Sequence, residues 1–252
     1  RHNANTRQLS VFGVGVDAVD VDYCKSKGIR VGNTPDVLSE DVADLAIALA
    51  LASYRQLTFA HNYTCAGKWV SDGPAPLTRK FSGSRVGIFG LGRIGLEIAR
   101  RAEGFGCDVS YCNRNPRADV SFQYFSDLKQ MADAVDCLVI AVAPGGDMQG
   151  VIDADIMRRL GPSGHLVNIS RGWVVNENDL VAALQSGELG GAGLDVFADE
   201  PNVPEALMAL PSAVLQPHVA SGTVETRTAM GDLMLENLSK YFSGSELTAF
   251  VA

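Results

Sequence analysis

Three residues suited to acid, base and anion chemistry each stand just past a short apolar run: Arg171 after 165–169, Glu200 after 192–196, and His218 after Ala213–Leu215. An arginine pairs with a carboxylate and polarises a carbonyl oxygen, an imidazolium delivers a proton, and a carboxylate holds that imidazole in one orientation. Reduction of a 2-oxo acid asks for this set. Taken singly, each has a duller reading. His218 is then a packed loop histidine, Arg171 an ion pair at a helix entry, and Glu200 a solvated side chain before Pro201.

A second constellation strengthens the chemical reading. The run VGIF at 86–89 enters GLGRIG at 90–95, and a helical pattern follows. In such a turn the first glycine permits the tight bend, the second lets the backbone approach a pyrophosphate, and the third allows close packing of helix on strand. Gly90, Leu91, Gly92, Arg93, Ile94 and Gly95 are therefore the expected dinucleotide cradle, with phosphate on the helix N-terminus. The next strand ends in NRNPR at 113–117, with no carboxylate between Val109 and Ala118. A carboxylate there would accept the ribose hydroxyls of NAD and repel a 2′-phosphate, whereas arginine grips that phosphate with paired donors. The expectation is NADP(H), with Arg114 as the main contact, Arg117 as a weaker one and Asn113 beside them.

The elements that must position these residues follow from hydrophobic periodicity. Residues 9–14, 19–27 and 29–31 read as strand, short helix and strand, and an alanine-rich apolar helix begins near Ser39. Residues 67–84, with two prolines and three glycines, read as a long exposed excursion. Beyond Arg85 come six strand candidates at 86–89, 109–112, 137–142, 165–169, 192–196 and 213–215, with helices at 94–103, 153–160, 177–186 and 224–242. Short apolar strands alternating with helices predict an α/β fold with a Rossmann-type, doubly wound parallel sheet covered on both faces.

Bulk properties narrow the partners. The 252 residues carry a formal charge of −8, which opposes broad attraction to phosphodiester backbones, so nucleic acid is not expected. No apolar run reaches the length of a bilayer span, so no membrane partner is expected either. Five cysteines show neither a C-x-x-C pair nor zinc-ligand spacing, so we expect reduced thiols, no metal, and the cytoplasm as location. The chain opens at Arg1 and enters an apolar run almost at once, which suggests a piece of a longer protein.

With these motifs in order, the sequence resembles the D-isomer-specific 2-hydroxyacid dehydrogenase family, and within it the glyoxylate/hydroxypyruvate and hydroxyphenylpyruvate reductase branch. GVGVD at 13–17, NTPDVL at 33–38, the glycine turn, NISRG at 168–172, GLDVFADEP at 193–201, PH at 217–218 and SGTVETR at 221–227 carry the resemblance along nearly the whole chain. It implies that Arg171 binds substrate, that His218 is the acid/base, and that Glu200 holds His218. Backbone N–H groups of Val14 and Gly15 would cradle the substrate carboxylate with Ser221 nearby. Asp195 would meet the nicotinamide amide, and Ile169, His218 and Gly222 would complete the cofactor contacts. Residues 35–222 would form the NADP-binding domain, and 1–34 with 223–252 part of a flavodoxin-like substrate domain whose N-terminal portion lies outside the chain. A homodimer through the cofactor domain is also implied, with 67–84 and Trp69 reaching the neighbouring subunit.

The chain departs from the family pattern at APGGDM, 143–148, so no cofactor contact is assigned to that loop. Formate enzymes of the family carry Gln where Glu200 stands. Expected turnover is reduction of a small 2-oxo acid to the D-2-hydroxy acid; the alternative is a non-catalytic dinucleotide-sensing protein on the same fold.

Overall fold

The computed structural model describes residues 6–143, 145 and 147–252, so Pro144 and Gly146 of the divergent 143–148 loop lie outside the described residues. Two compact units emerge, Arg1–Asp41 with Ser221–Ala252, and Val42–Ala220.

In the first unit, β1 (Gln8–Ser10) and β2 (Arg30–Gly32) pair in parallel around α1 (Val21–Ser26), with Leu9 opposite Val31. Asp20 caps α1 by accepting the Tyr23 N–H at 2.8 Å. The strand expected over 9–14 is shorter because its partner offers only three ladder positions before the chain leaves the pair.

Chain order continues with α2 (Ser39–Arg55), α3 (Leu57–Cys65) and α4 (Lys68–Ser71), and the boundary between the units falls in the first turn of α2. Gln56, in the left-handed region at φ 46°, separates α2 from α3. The excursion after Gly67 is largely exposed and carries α4, and it returns to the core at the buried Phe81.

The second unit then alternates β3 (Arg85–Phe89), α5 (Arg93–Gly104), β4 (Asp108–Cys112), β5 (Gln123–Phe125), α6 (Leu128–Ala134), β6 (Cys137–Ile140), α7 (Ala154–Leu160), β7 (His165–Asn168), α8 (Glu177–Ser186), β8 (Gly191–Leu194), α9 (Glu205–Met208) and β9 (Ala213–Leu215). The last helix, α10 (Val224–Phe242), belongs to the first unit, where Thr223 caps it by accepting the Thr226 N–H. The seven strands are all parallel in the order β5-β4-β3-β6-β7-β8-β9, a Rossmann-type sheet. Chain direction across the sheet reverses between β3 and β6, and ligands of open α/β sheets collect outside the strand ends at such a switch point.

β5 is the strand that sequence patterning misses: Gln123, Tyr124 and Phe125 form a short edge strand with no apolar run to announce it. Central strands behave otherwise. Every residue of β6, β7 and β8 is buried, because helices cover both faces. α5 contributes the buried stripe Gly95, Ile98, Ala99 and Ala102, while Met131, Ile156, Met157 and Leu180 pack the neighbouring helices into one core with Leu138, Ile140 and Leu166. Among the described residues no helix is long and apolar enough to cross a membrane, and no group of three or more His, Cys, Asp or Glu is placed to hold a metal ion.

Candidate active site

At the end of β3 the glycine turn shows three different constraints. Gly90 sits at φ +100°, and a Cβ there would lie 2.6 Å from the Val142 backbone nitrogen. At Gly95 a Cβ would lie 2.4 Å from the Gly90 carbonyl oxygen, so helix and turn can touch only through a glycine. Gly92 has nothing within 4 Å of its notional Cβ, and no side chain caps α5 there. That open face over a twelve-residue helix's N-terminus fits a dinucleotide pyrophosphate, which the first-turn N–H groups and the helix dipole favour.

Two predicted cofactor residues shape this turn. Asn113 Oδ1 accepts the Leu91 N–H at 2.7 Å, and Arg117 Nη1 donates to the Leu91 carbonyl at 3.0 Å. Leu91 itself is buried, so its backbone is tied to the second strand's exit rather than turned toward open space. Arg117 is further held by Asp119 through two contacts of 2.9 and 2.5 Å. Arg114 is exposed on the same loop and is engaged by no hydrogen bond or ion pair among the described residues. Of the two arginines, Arg114 is thus the one available to a 2′-phosphate.

The chemical residues lie beyond the C-terminal ends of β7, β8 and β9. His218 Nδ1 stands 2.7 Å from Glu200 Oε2, and Glu200 Oε1 accepts the Phe197 N–H at 3.1 Å. Both oxygens of that carboxylate are therefore oriented, one on the backbone and one on the imidazole. His218 occupies the left-handed region at φ 53°, a conformation that persists for a non-glycine residue only when its surroundings impose it. Asp195, buried at the end of β8, supplies the restraint by accepting the N–H groups of Val219 and Ala220 at 2.8 and 2.9 Å. Burial pushes the Asp195 carboxyl above the ordinary carboxylate range, and those two N–H groups pull it part of the way back.

Arg171 is half-buried after β7, where its Nη1 donates to the Ser170 carbonyl at 2.8 Å. Its loop is built by Asn168, a residue with no role in the sequence reading. The Asn168 side chain accepts Ser170 N–H and hydroxyl, both at 3.0 Å, and donates to the Arg171 carbonyl at 2.9 Å. A polar residue ending an otherwise apolar strand is the signal that marks it. Gly172 packs this loop onto the next: a Cβ there would lie 1.8 Å from the Phe197 carbonyl carbon. The loops of Arg171 and Glu200 are thereby packed backbone to backbone, and the His218 loop is tied to them through the Glu200 and Asp195 carboxylates. Ile169 is buried just past β7. Val14, Gly15, Ser221 and Gly222 belong to the first unit, where Val14 and Gly222 are exposed and Gly15 and Ser221 half-buried.

Residues 47–220 match the model of the D-isomer specific 2-hydroxyacid dehydrogenase, NAD binding domain. The chain belongs to this family. It is 51% identical over 243 residues to glyoxylate/hydroxypyruvate reductase A HPR2 of Arabidopsis thaliana, covering 96% of this chain and 77% of that protein. Hydroxyphenylpyruvate reductase of Plectranthus scutellarioides is 50% identical over 239 residues, covering 95% and 76%. Among solved structures, the NADPH-dependent glyoxylate/hydroxypyruvate reductase of Sinorhizobium meliloti, in complex with NADP and malonate, superposes with a TM-score of 0.94 at 48% identity over 98% of this chain and 77% of that one. As a 2-hydroxyacid dehydrogenase the chain carries an NAD(P)-binding domain, and its glycine turn is where such a cofactor fits.

Proposed function

We propose that this dehydrogenase reduces a small 2-oxo acid of the glyoxylate or hydroxypyruvate type to the D-2-hydroxy acid, with NADPH as reductant. The observation that carries the reading is the 2.7 Å contact between Glu200 and His218, on the same strand-end face as a glycine turn fit for a dinucleotide. NADPH supplies the hydride that reaches C2. The chain's own groups manage charge and proton. Arg171 pairs with the anionic substrate and polarises its carbonyl. Glu200 fixes Nδ1–H of His218, so the second ring nitrogen, Nε2, is the one that delivers a proton to the carbonyl oxygen. Asp195 keeps that ring on its turn, and its remaining lone pairs suit the nicotinamide amide. One 2-oxo acid, one NADPH and one proton give one 2-hydroxy acid and NADP.

NADPH is favoured over NADH because the exposed Arg114 follows β4 where an NAD enzyme places a carboxylate. Residues before Pro35 and the final helix form part of the substrate domain in this reading. The protein works as a homodimer in the cytoplasm. Support for the dimer comes from α3 and α4, which bury none of their residues, and from Trp69 and Val70, which are 67% and 94% exposed. Five free thiols, four of them buried, suit a reducing compartment.

The test is NADPH oxidation by the full-length protein with glyoxylate, hydroxypyruvate, pyruvate and hydroxyphenylpyruvate, repeated with NADH. Turnover that is faster with NADPH supports the reading. Tight NADPH binding without turnover of any 2-oxo acid replaces it with dinucleotide sensing.

A further inference from the structure

The edge strand β5 brings Tyr124 into register with Tyr111 of β4, and the two rings lie 5.4 Å apart. Their hydroxyls meet opposite ends of the loop that carries Arg114. Tyr124 donates to the Asn113 carbonyl at 3.2 Å, and the Tyr111 oxygen accepts the Arg117 N–H at 2.8 Å. No step proposed above uses either tyrosine. We infer that Tyr111 and Tyr124 are positioning residues for NADP(H) selectivity: their hydroxyls fix the backbone on either side of Arg114 so that its guanidinium meets the 2′-phosphate. This rests on the NADPH preference proposed above and names the residues that hold its main contact in place.

An arginine on a free loop loses backbone and rotamer freedom when it grips a phosphate, and that loss weakens binding. Anchoring the backbone beforehand removes part of it. Here residues 113–117 are held at both ends, and Pro116 further restricts the turn between them. Arg114 stands one residue past the first anchor, with its side chain exposed to solvent. These anchors are separate from the brace on the glycine turn, which uses the side chains of Asn113 and Arg117 on Leu91. NADH has no 2′-phosphate, so the placement of Arg114 does nothing for it. A packing role alone would need only the rings: Tyr111 is 1% exposed, and phenylalanine fills the same space. The hydroxyls are what reach the loop.

The experiment titrates the full-length protein with NADPH and with NADH, and so needs no turnover. It compares wild type with Tyr111→Phe, Tyr124→Phe, Arg114→Ala and the combination of Tyr124→Phe with Arg114→Ala. Each lost hydroxyl should raise the Kd for NADPH about fivefold, the usual contribution of one hydrogen bond, and that for NADH no more than about twofold. With Arg114 already replaced, Tyr124→Phe should change the ratio of the two constants by less than about twofold. Equal rises for both cofactors overturn the inference, because they mean a packing role. So does an NADPH constant unchanged in both tyrosine variants, and so does a Tyr124→Phe effect on the ratio as large without Arg114 as with it. If Tyr111→Phe fails to fold, Tyr124→Phe at the sheet edge decides alone. A wild type that binds NADH as tightly as NADPH is the distinct result that overturns the NADPH preference, and this inference with it.

Discussion

Asp195 holds His218 in place without touching its ring: the carboxylate takes the N–H groups of Val219 and Ala220, the two residues after a histidine at φ 53°. Removing it should be felt in both stability and rate. Asp195→Ala leaves two N–H groups without their acceptor, at about 1–3 kcal/mol for each that stays buried. We expect a lower urea midpoint and a kcat at least tenfold lower, with NADPH affinity less affected. Asp195→Asn keeps one acceptor oxygen and should fall between. A kcat unchanged in both variants would show that the turn holds without Asp195.

The Glu200–His218 pair predicts a different pattern, in which chemistry fails and cofactor binding does not. His218→Ala should lower kcat by about 10²–10⁴, the usual share of general acid catalysis, while the Kd for NADPH stays within a few-fold. Glu200→Gln keeps an acceptor opposite Nδ1 but removes the charge, so kcat should fall by a smaller factor and its pH profile should move. Equal kcat in wild type and His218→Ala would remove His218 from the proton-transfer role.

Much of this site was legible in the sequence because strands buried on both faces must be apolar throughout. Runs such as CLVI of β6 therefore stand out, and Arg171, Glu200 and His218 are conspicuous as the polar residues that follow such runs. β5 escaped because an edge strand of Gln, Tyr and Phe has no such pattern. The break at Gln56 escaped too, since a left-handed glutamine is imposed by tertiary contacts rather than by its own preference. Asn168 and Asn113 show the other limit. Their amides act on backbone groups of neighbouring loops, and which backbone comes near is a property of the folded chain.

Arg114 and Arg117 look alike in sequence and should differ in kinetics. Arg114 is exposed and unengaged, so Arg114→Asp should lower the ratio of NADPH to NADH efficiency by tenfold or more, through lost pairing and added repulsion. Arg117 already pairs with Asp119 and braces the Leu91 carbonyl. Arg117→Ala should therefore loosen the glycine turn and weaken both cofactors by similar factors, leaving the ratio nearly unchanged. Steady-state kinetics with the two cofactors separates these outcomes, and a ratio that collapses in Arg117→Ala but not in Arg114→Asp would exchange the two roles.

His165, at the start of β7 and far along the strand from the chemistry, predicts how the fold responds to acid. It is 4% exposed, lies 2.8 Å from the Ser53 hydroxyl through Nδ1, and stacks on Tyr54 at 4.0 Å. Its Nε2 has no hydrogen-bond partner among the described residues. Burial, aided by the charge of Arg79, pushes the imidazole down to about 4 from an ordinary 6.5. Between those values the unfolded chain binds a proton that the folded chain refuses, so stability falls as pH drops from 6.5 toward 4 and is constant in this respect above 6.5. The full effect is on the order of 3 kcal/mol. Asp136, held below the ordinary range by Arg85, acts only at lower pH and does not confuse the window. Urea midpoints measured from pH 7 to 4.5 should decline steeply in wild type and more gently in His165→Gln, and parallel declines would show that another group carries the acid sensitivity.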